Sequence, residues 1–91
     1  MAMQEIDKLR SEIDSIHREL ATLFRCRLQL TIKIWEIKKS GNLPLIDPKR
    51  ENEIIHQFDD FISDGPEKAA VQSFFKNLLG DTRVYLKEKL K

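Results

Sequence analysis

From Ile6 onward, large apolar residues recur at alternating steps of three and four: Ile6, Leu9, Ile13, Ile16, Leu20, Leu23, then Leu30, Ile34 and Ile37. That spacing keeps one face of a helix apolar and predicts a single helix from about residue 4 to residue 39. No Gly or Pro interrupts the run before Gly41. There the Gly41-Asn42 pair supplies a residue able to take positive φ and close the last turn, and Lys38 and Lys39 suit the negative end of the helix dipole. Such a helix is roughly 54 Å long at 1.5 Å per residue, whereas a globule of this chain length has a radius of gyration of about 12 Å. Two shorter helices cannot cover so long a seam. The expectation is therefore that a second copy of the chain packs along it in a symmetric homodimer, with folding and association coupled.

After a short loop holding Pro44, Asp47-Pro48 reads as an N-cap followed by proline at the first helical position. A second helix is expected there, with Ile54, Ile55, Phe58, Phe61 and Ile62 on one face until Ser63-Asp64-Gly65-Pro66 breaks the pattern. The same proline logic begins a third helix, whose stripe runs Val71, Phe74, Phe75, Leu78, Leu79, Thr82, Tyr85 and Leu86. Gly80 within it costs about 1 kcal/mol relative to Ala and points to a close helix contact. No stretch reads as a strand. The fold class expected is all-α, three helices per chain, in one domain over residues 1–91.

Composition narrows the function classes. Ninety-one residues leave room for one small core and exclude the large α/β scaffolds that most cofactor-binding enzymes need. With 41% hydrophobic and 34% charged residues and only three Gly and three Pro, the chain is suited to amphipathic helices rather than disorder. Sixteen Lys and Arg against fifteen Asp and Glu leave a charge of +1, which argues against a nucleic-acid partner. The single Cys26 cannot form an internal disulfide, and no apolar run resembles a secretory signal or a membrane span of about 20 residues. A cytoplasmic setting with no membrane partner follows as the expectation.

The informative positions are charges set where periodicity reserves a place for the core. With Ile6 as position a, the series continues Ile13, Leu20, Arg27, Ile34, so a guanidinium interrupts an aliphatic seam. Desolvating an unpaired cation costs several kcal/mol, so Arg27 must meet an anion or line a wet pocket. The plain alternative is a register-setting pair with a carboxylate of the other chain. Arg10 and Lys38 both fall at e positions flanking the seam, and eleven residues separate Lys38 from Arg27, roughly 16 Å of axis. Two extended basic side chains reduce that to a gap of small-molecule size, although either residue alone fits an ordinary rim. Arg50 and Glu51 lie at the rim of the second helix, where an exposed first turn would also explain them, and capping nearly suffices for Asp47. For Thr82, a back-bond to its own helix is the plain account. His17 and His56 lack partners at metal-ligand spacing, and Cys26 is expected to be a buried, inert thiol. There is no Gly-rich phosphate loop and no nucleophile elbow.

Leu9-Arg10, Ile13, Leu20, Arg27, Lys38, Pro44, Asp47 and Arg50-Glu51 together resemble the all-helical class of chorismate mutases, short three-helix enzymes that form an intertwined dimer. The spacing agrees without gaps from Arg10 to Glu51, and a weaker similarity of the third helix extends it over nearly the whole chain. The resemblance implies that Arg10 reaches into the partner subunit's site and binds a substrate carboxylate. It implies that Arg27 and Lys38 supply cations from the same subunit, Lys38 also contacting the ether oxygen of the breaking bond. Asp47, Arg50 and Glu51 would surround the substrate, with Glu51 holding its ring hydroxyl, and Thr82 would stand where the family usually has serine beside a carboxylate. A place in aromatic amino acid biosynthesis, chorismate as the small-molecule substrate, and no cofactor or metal are likewise implied.

One position departs from the pattern. Four residues after that serine the family generally carries a glutamine or glutamate that hydrogen-bonds the ether oxygen, and here stands Leu86, which cannot donate. Shifting the third helix by one residue would offer Tyr85 but set Asp81 against a substrate carboxylate, so the register with Leu86 is preferred. Two alternatives stay open on this account: a mutase-like anion-binding or regulatory module with weak turnover, and a lyase relative acting on isochorismate. The chemistry itself fits the residues, because an intramolecular rearrangement of a folded dianion needs no nucleophile or proton shuttle, only positioning and charge at the developing ether oxygen.

Overall fold

The computed structural model describes residues 1–90. In chain order it contains α1 (Ala2–Ser40), α2 (Pro48–His56) and α3 (Pro66–Lys89), with one 3-10 turn at Asp59–Phe61. Among the described residues there is no strand, so the all-α, three-helix architecture stands. Contacts divide the chain into two units, Met1–Ile37 and the chain from Lys38 onward.

The first unit is helix alone. Its interior threonines are accommodated by back-bonds, Thr22 Oγ1 donating to the Arg18 carbonyl at 3.0 Å and Thr31 Oγ1 to the Arg27 carbonyl at 2.7 Å. No residue of α1 is buried. The whole apolar stripe from Ile6 to Ile37 is open, at 41% exposure for Ile6 and 69% for Ile37. Cys26, expected inside, is exposed, and no residue of its helix is fully buried.

The second unit starts with the end of α1. Leu43 N–H donates to the Lys38 carbonyl at 2.8 Å and Asn42 N–H to the Lys39 carbonyl at 3.3 Å. This double bond pattern is a Schellman motif with Asn42, not Gly41, in the left-handed conformation at φ 56°. The chain then turns to Asp47, extended at φ −124°, whose carboxylate accepts the Arg50 N–H at 3.2 Å, with Pro48 in the first turn of α2. The cap predicted from Asp47-Pro48 is thus in place.

α2 is shorter than expected. It stops at His56, and Gln57 N–H reaches back to the Ile54 carbonyl at 3.5 Å in a tightened last turn. Two carboxylates, Asp59 and Asp60, stand just beyond Gln57 and Phe58, and negative charge near a helix C-terminus opposes the dipole. At the start of a new 3-10 turn the same carboxylates are favoured. As a result Phe61 does not continue the helical face and is 83% exposed.

α3 begins at Pro66 as expected, but its N-cap is Gly65 at φ 138° and ψ −162°, with no side-chain cap. Only glycine occupies that region of backbone space without strain. α2 packs on α3, and the Phe75 ring lies 5.7 Å from Phe58 and 5.3 Å, edge to face, from Phe74. The buried residues of α3 are Leu79, Thr82 and Leu86. Gly80 does not mark a close contact: a Cβ built there meets no neighbour within 4 Å, so its cost is not recovered by packing within this chain.

Candidate active site

Arg10 and Arg27 belong to the first unit. Arg10 is exposed, its Nη1 lying 3.8 Å from Asp7 Oδ1 on the open face of α1. Arg27 is half-buried. Seventeen residues of one helix separate the two, roughly 26 Å of axis, so the Arg10 and Arg27 of a single chain cannot close on one small molecule.

The other expected residues stand in the second unit. Lys38 is half-buried at the end of α1, and its Nζ donates to the Leu45 carbonyl at 3.4 Å, bracing the loop that leads to α2. Asp47 is committed to the cap, and Arg50 is exposed with its Nη1 3.5 Å from Glu53 Oε2. Glu51, one residue further, turns inward and is 28% exposed at its side chain.

On α3 the inward face holds Thr82 and Leu86. Thr82 is 3% exposed and Leu86 1%, while Tyr85 stands at 36% and Asp81 is exposed. Thr82 Oγ1 donates to the Leu78 carbonyl at 2.6 Å, the back-bond anticipated for it. Leu86, which the resemblance sets at the family's donor position, is an enclosed hydrocarbon.

A residue absent from the expectations joins α3 to α2. Arg83 Nη1 donates to Glu51 Oε2 at 2.5 Å, across 32 positions of sequence. A signal for it exists: Leu79, Thr82, Arg83 and Leu86 follow the steps three, one and three of a helical face, so Arg83 is a charge in the inward stripe of α3, as Arg27 is in that of α1. His56 is not isolated either. Its Nδ1 lies 2.9 Å from Asp59 Oδ2, and Gln72 Nε2 donates to Asp59 Oδ1 at 3.0 Å. The Gln72 bond first, then the His56 contact, hold the Asp59 carboxyl below its ordinary value.

Among the described residues no three His, Cys, Asp or Glu side chains gather as metal ligands, and no helix is long and apolar enough to cross a membrane. Within the second unit, Lys38 and Arg50 supply cations and Glu51 a carboxylate tethered by Arg83.

The family model described as Chorismate mutase type II matches residues 9–86. The chain belongs to that family. It is 44% identical over 55 residues, 60% of its length, to the bifunctional chorismate mutase/prephenate dehydratase of Aquifex aeolicus (strain VF5), covering 15% of that protein. It is 45% identical over 49 residues, 54% of its length, to the T-protein of Haemophilus influenzae (strain ATCC 51907 / DSM 11121 / KW20 / Rd), covering 13% of it. The chain thus spans only a small part of the length of these curated relatives. No solved structure gives a significant match.

Proposed function

We propose that this protein rearranges chorismate to prephenate as a homodimer with two shared sites. The observation that carries the reading is the family match over residues 9–86, which encloses every proposed contact from Arg10 to Leu86. Within each site Arg27 and Lys38 bind the substrate's anionic groups, Lys38 with its charge toward the ether oxygen of the breaking bond. Asp47 and Arg50 border the site, Glu51 accepts the ring hydroxyl, and Thr82 lies beside a carboxylate. Arg10 comes from the other subunit, a division supported by the roughly 26 Å of helix that parts it from Arg27. The open stripe on α1 supports the dimer: large aliphatic residues exposed in one continuous line are what a second helix would cover.

Catalysis on this reading is positional and electrostatic. The cations hold the dianion folded so that the bond-forming carbons meet, and they stabilise the charge that grows on the ether oxygen. Arg27 meets one of the substrate's anionic groups. No cofactor takes part, and a cytoplasmic setting is part of the proposal. A second reading, a weakly catalytic anion-binding module, is favoured by one observation only, the enclosed Leu86 in place of a donor to the ether oxygen.

The test is turnover. Purified protein with chorismate and no additive should form prephenate, followed by ultraviolet absorbance, and Arg27→Ala should lower the rate by about 10²- to 10³-fold. Chorismate that persists while calorimetry registers its binding would favour the second reading, and chorismate neither bound nor consumed would defeat both.

A further inference from the structure

We infer that Arg83 is a positioning residue for Glu51, fixing one carboxylate oxygen so that the other is presented to the substrate's ring hydroxyl. The inference rests on the mutase reading above and adds a residue to it. Three observations carry it. Arg83 belongs to the inward face of α3 and is flanked there by the buried Thr82 and Leu86. Its guanidinium meets Glu51 Oε2, and both side chains are half-buried, at 35% and 28% exposure. Glu51 Oε1 takes no hydrogen bond from any described residue.

A glutamate side chain turns about three bonds, and a carboxylate free to do so loses conformational entropy each time it meets a ligand. Tethering Oε2 to a guanidinium anchored on a packed helix removes most of that freedom in advance. It leaves the second oxygen as an acceptor aimed by the first. The tether also explains why a cation is worth keeping in the apolar stripe of α3. An unpaired guanidinium there would be costly, and a hydrocarbon would leave Glu51 loose at the first turn of α2. Lysine would supply the charge without the rigid planar fork, so it should substitute only in part.

The experiment compares chorismate with an analogue lacking the ring hydroxyl in the parent, Arg83→Met, Arg83→Lys, Glu51→Ala and the double variant Arg83→Met/Glu51→Ala. Arg83→Met should lower kcat/KM for chorismate by roughly 10- to 100-fold while changing turnover of the analogue little, so that preference for the hydroxylated substrate collapses. Arg83→Lys should recover part of that preference, and the double variant should be no slower than Glu51→Ala alone. A bridge that only braces the fold would lower the melting temperature and slow both substrates alike, with preference intact. That outcome, or independent losses in the double variant, overturns the inference. Should Arg83→Met fail to fold, Arg83→Lys carries the same comparison, and a parent-like preference in it is equally decisive. A parent inactive on chorismate would defeat the functional reading and this inference with it, whereas an active parent with unaltered Arg83 variants would defeat this inference alone.

Discussion

The stripes of α1 and α3 are written in the same spacing of threes and fours and meet opposite fates. On α3, Leu79, Thr82 and Leu86 are shut away from water. On α1 every stripe residue from Ile6 to Ile37 stays open, and no position on the helix is buried. Periodicity selects the face a helix will bury, and the rest of the chain decides whether anything is there to bury it. The short α2 packs on α3. Each half-exposed aliphatic on α1 would gain about 1 kcal/mol or more on being enclosed, which is the physical case for a second copy of the chain.

The largest effect should come from spoiling that uncovered stripe. Leu20 lies in its middle, and Leu20→Asp would set a carboxylate into any interface formed there, at a cost of several kcal/mol per copy. Sedimentation should show the mass falling by half, the concentration dependence of the melting temperature should vanish, and chorismate turnover should fall with them because Arg10 is no longer delivered. If Leu20→Asp keeps the parent's mass and rate, the α1 stripe is a solvent face and the contrast with α3 has another cause.

A smaller and two-sided effect is expected on the covered stripe. Leu86→Gln places an amide where the structure has an enclosed hydrocarbon. Burying it without a full set of partners should cost about 1–3 kcal/mol, read as a lower melting temperature. If this position faces the ether oxygen, the same amide supplies a donor to the transition state and turnover should rise, by up to roughly 10²-fold. Stability and rate moving in opposite directions would locate the position. A variant that melts lower with no change of rate would assign Leu86 to packing alone.

Much of this molecule is legible without coordinates, and the reasons are local. The absence of Gly and Pro before Gly41, the Asp47-Pro48 cap and the proline at the start of α3 act within a few residues, and all three appear where expected. Even so, Asn42 rather than Gly41 takes the left-handed turn, because hydrogen-bond register picks the residue after the glycine. The end of α2 was less accessible. The apolar spacing through Phe58 and Phe61 continues past the point where Asp59 and Asp60 make helix unfavourable, and a pattern of faces does not weigh charge against the dipole. Charges within stripes are informative when both helices are read alike. The rule that picks out Arg27 on α1 picks out Arg83 on α3. Its partner Glu51 lies 32 positions away and is visible only once α2 and α3 are laid together. Exposure of Cys26 was hidden for the converse reason, since it depends on a cover that no local pattern reports.

The smallest effect should appear in acid, at the corner where α2 gives way to α3. Asp59 is held below the ordinary aspartate value of 3.8, first by the hydrogen bond from Gln72 and then by His56. A carboxyl depressed in the folded state adds stability that is present above its unfolded value and is lost as pH falls toward the folded one. The contribution should therefore persist at neutral pH and disappear as pH falls below about 3.8. Asp59→Asn removes the charge at every pH, so its melting temperature should lie below the parent's at neutral pH and converge on it in acid. Asp7→Asn is the matching change on the uncovered helix. It loosens a 3.8 Å contact with Arg10 between side chains that are each 69% exposed, and exposed pairs of this kind contribute at most about 1 kcal/mol and often nothing. If the two variants follow the same curve, the corner lends Asp59 nothing that open water does not, and the difference between covered and uncovered regions does not reach the polar contacts.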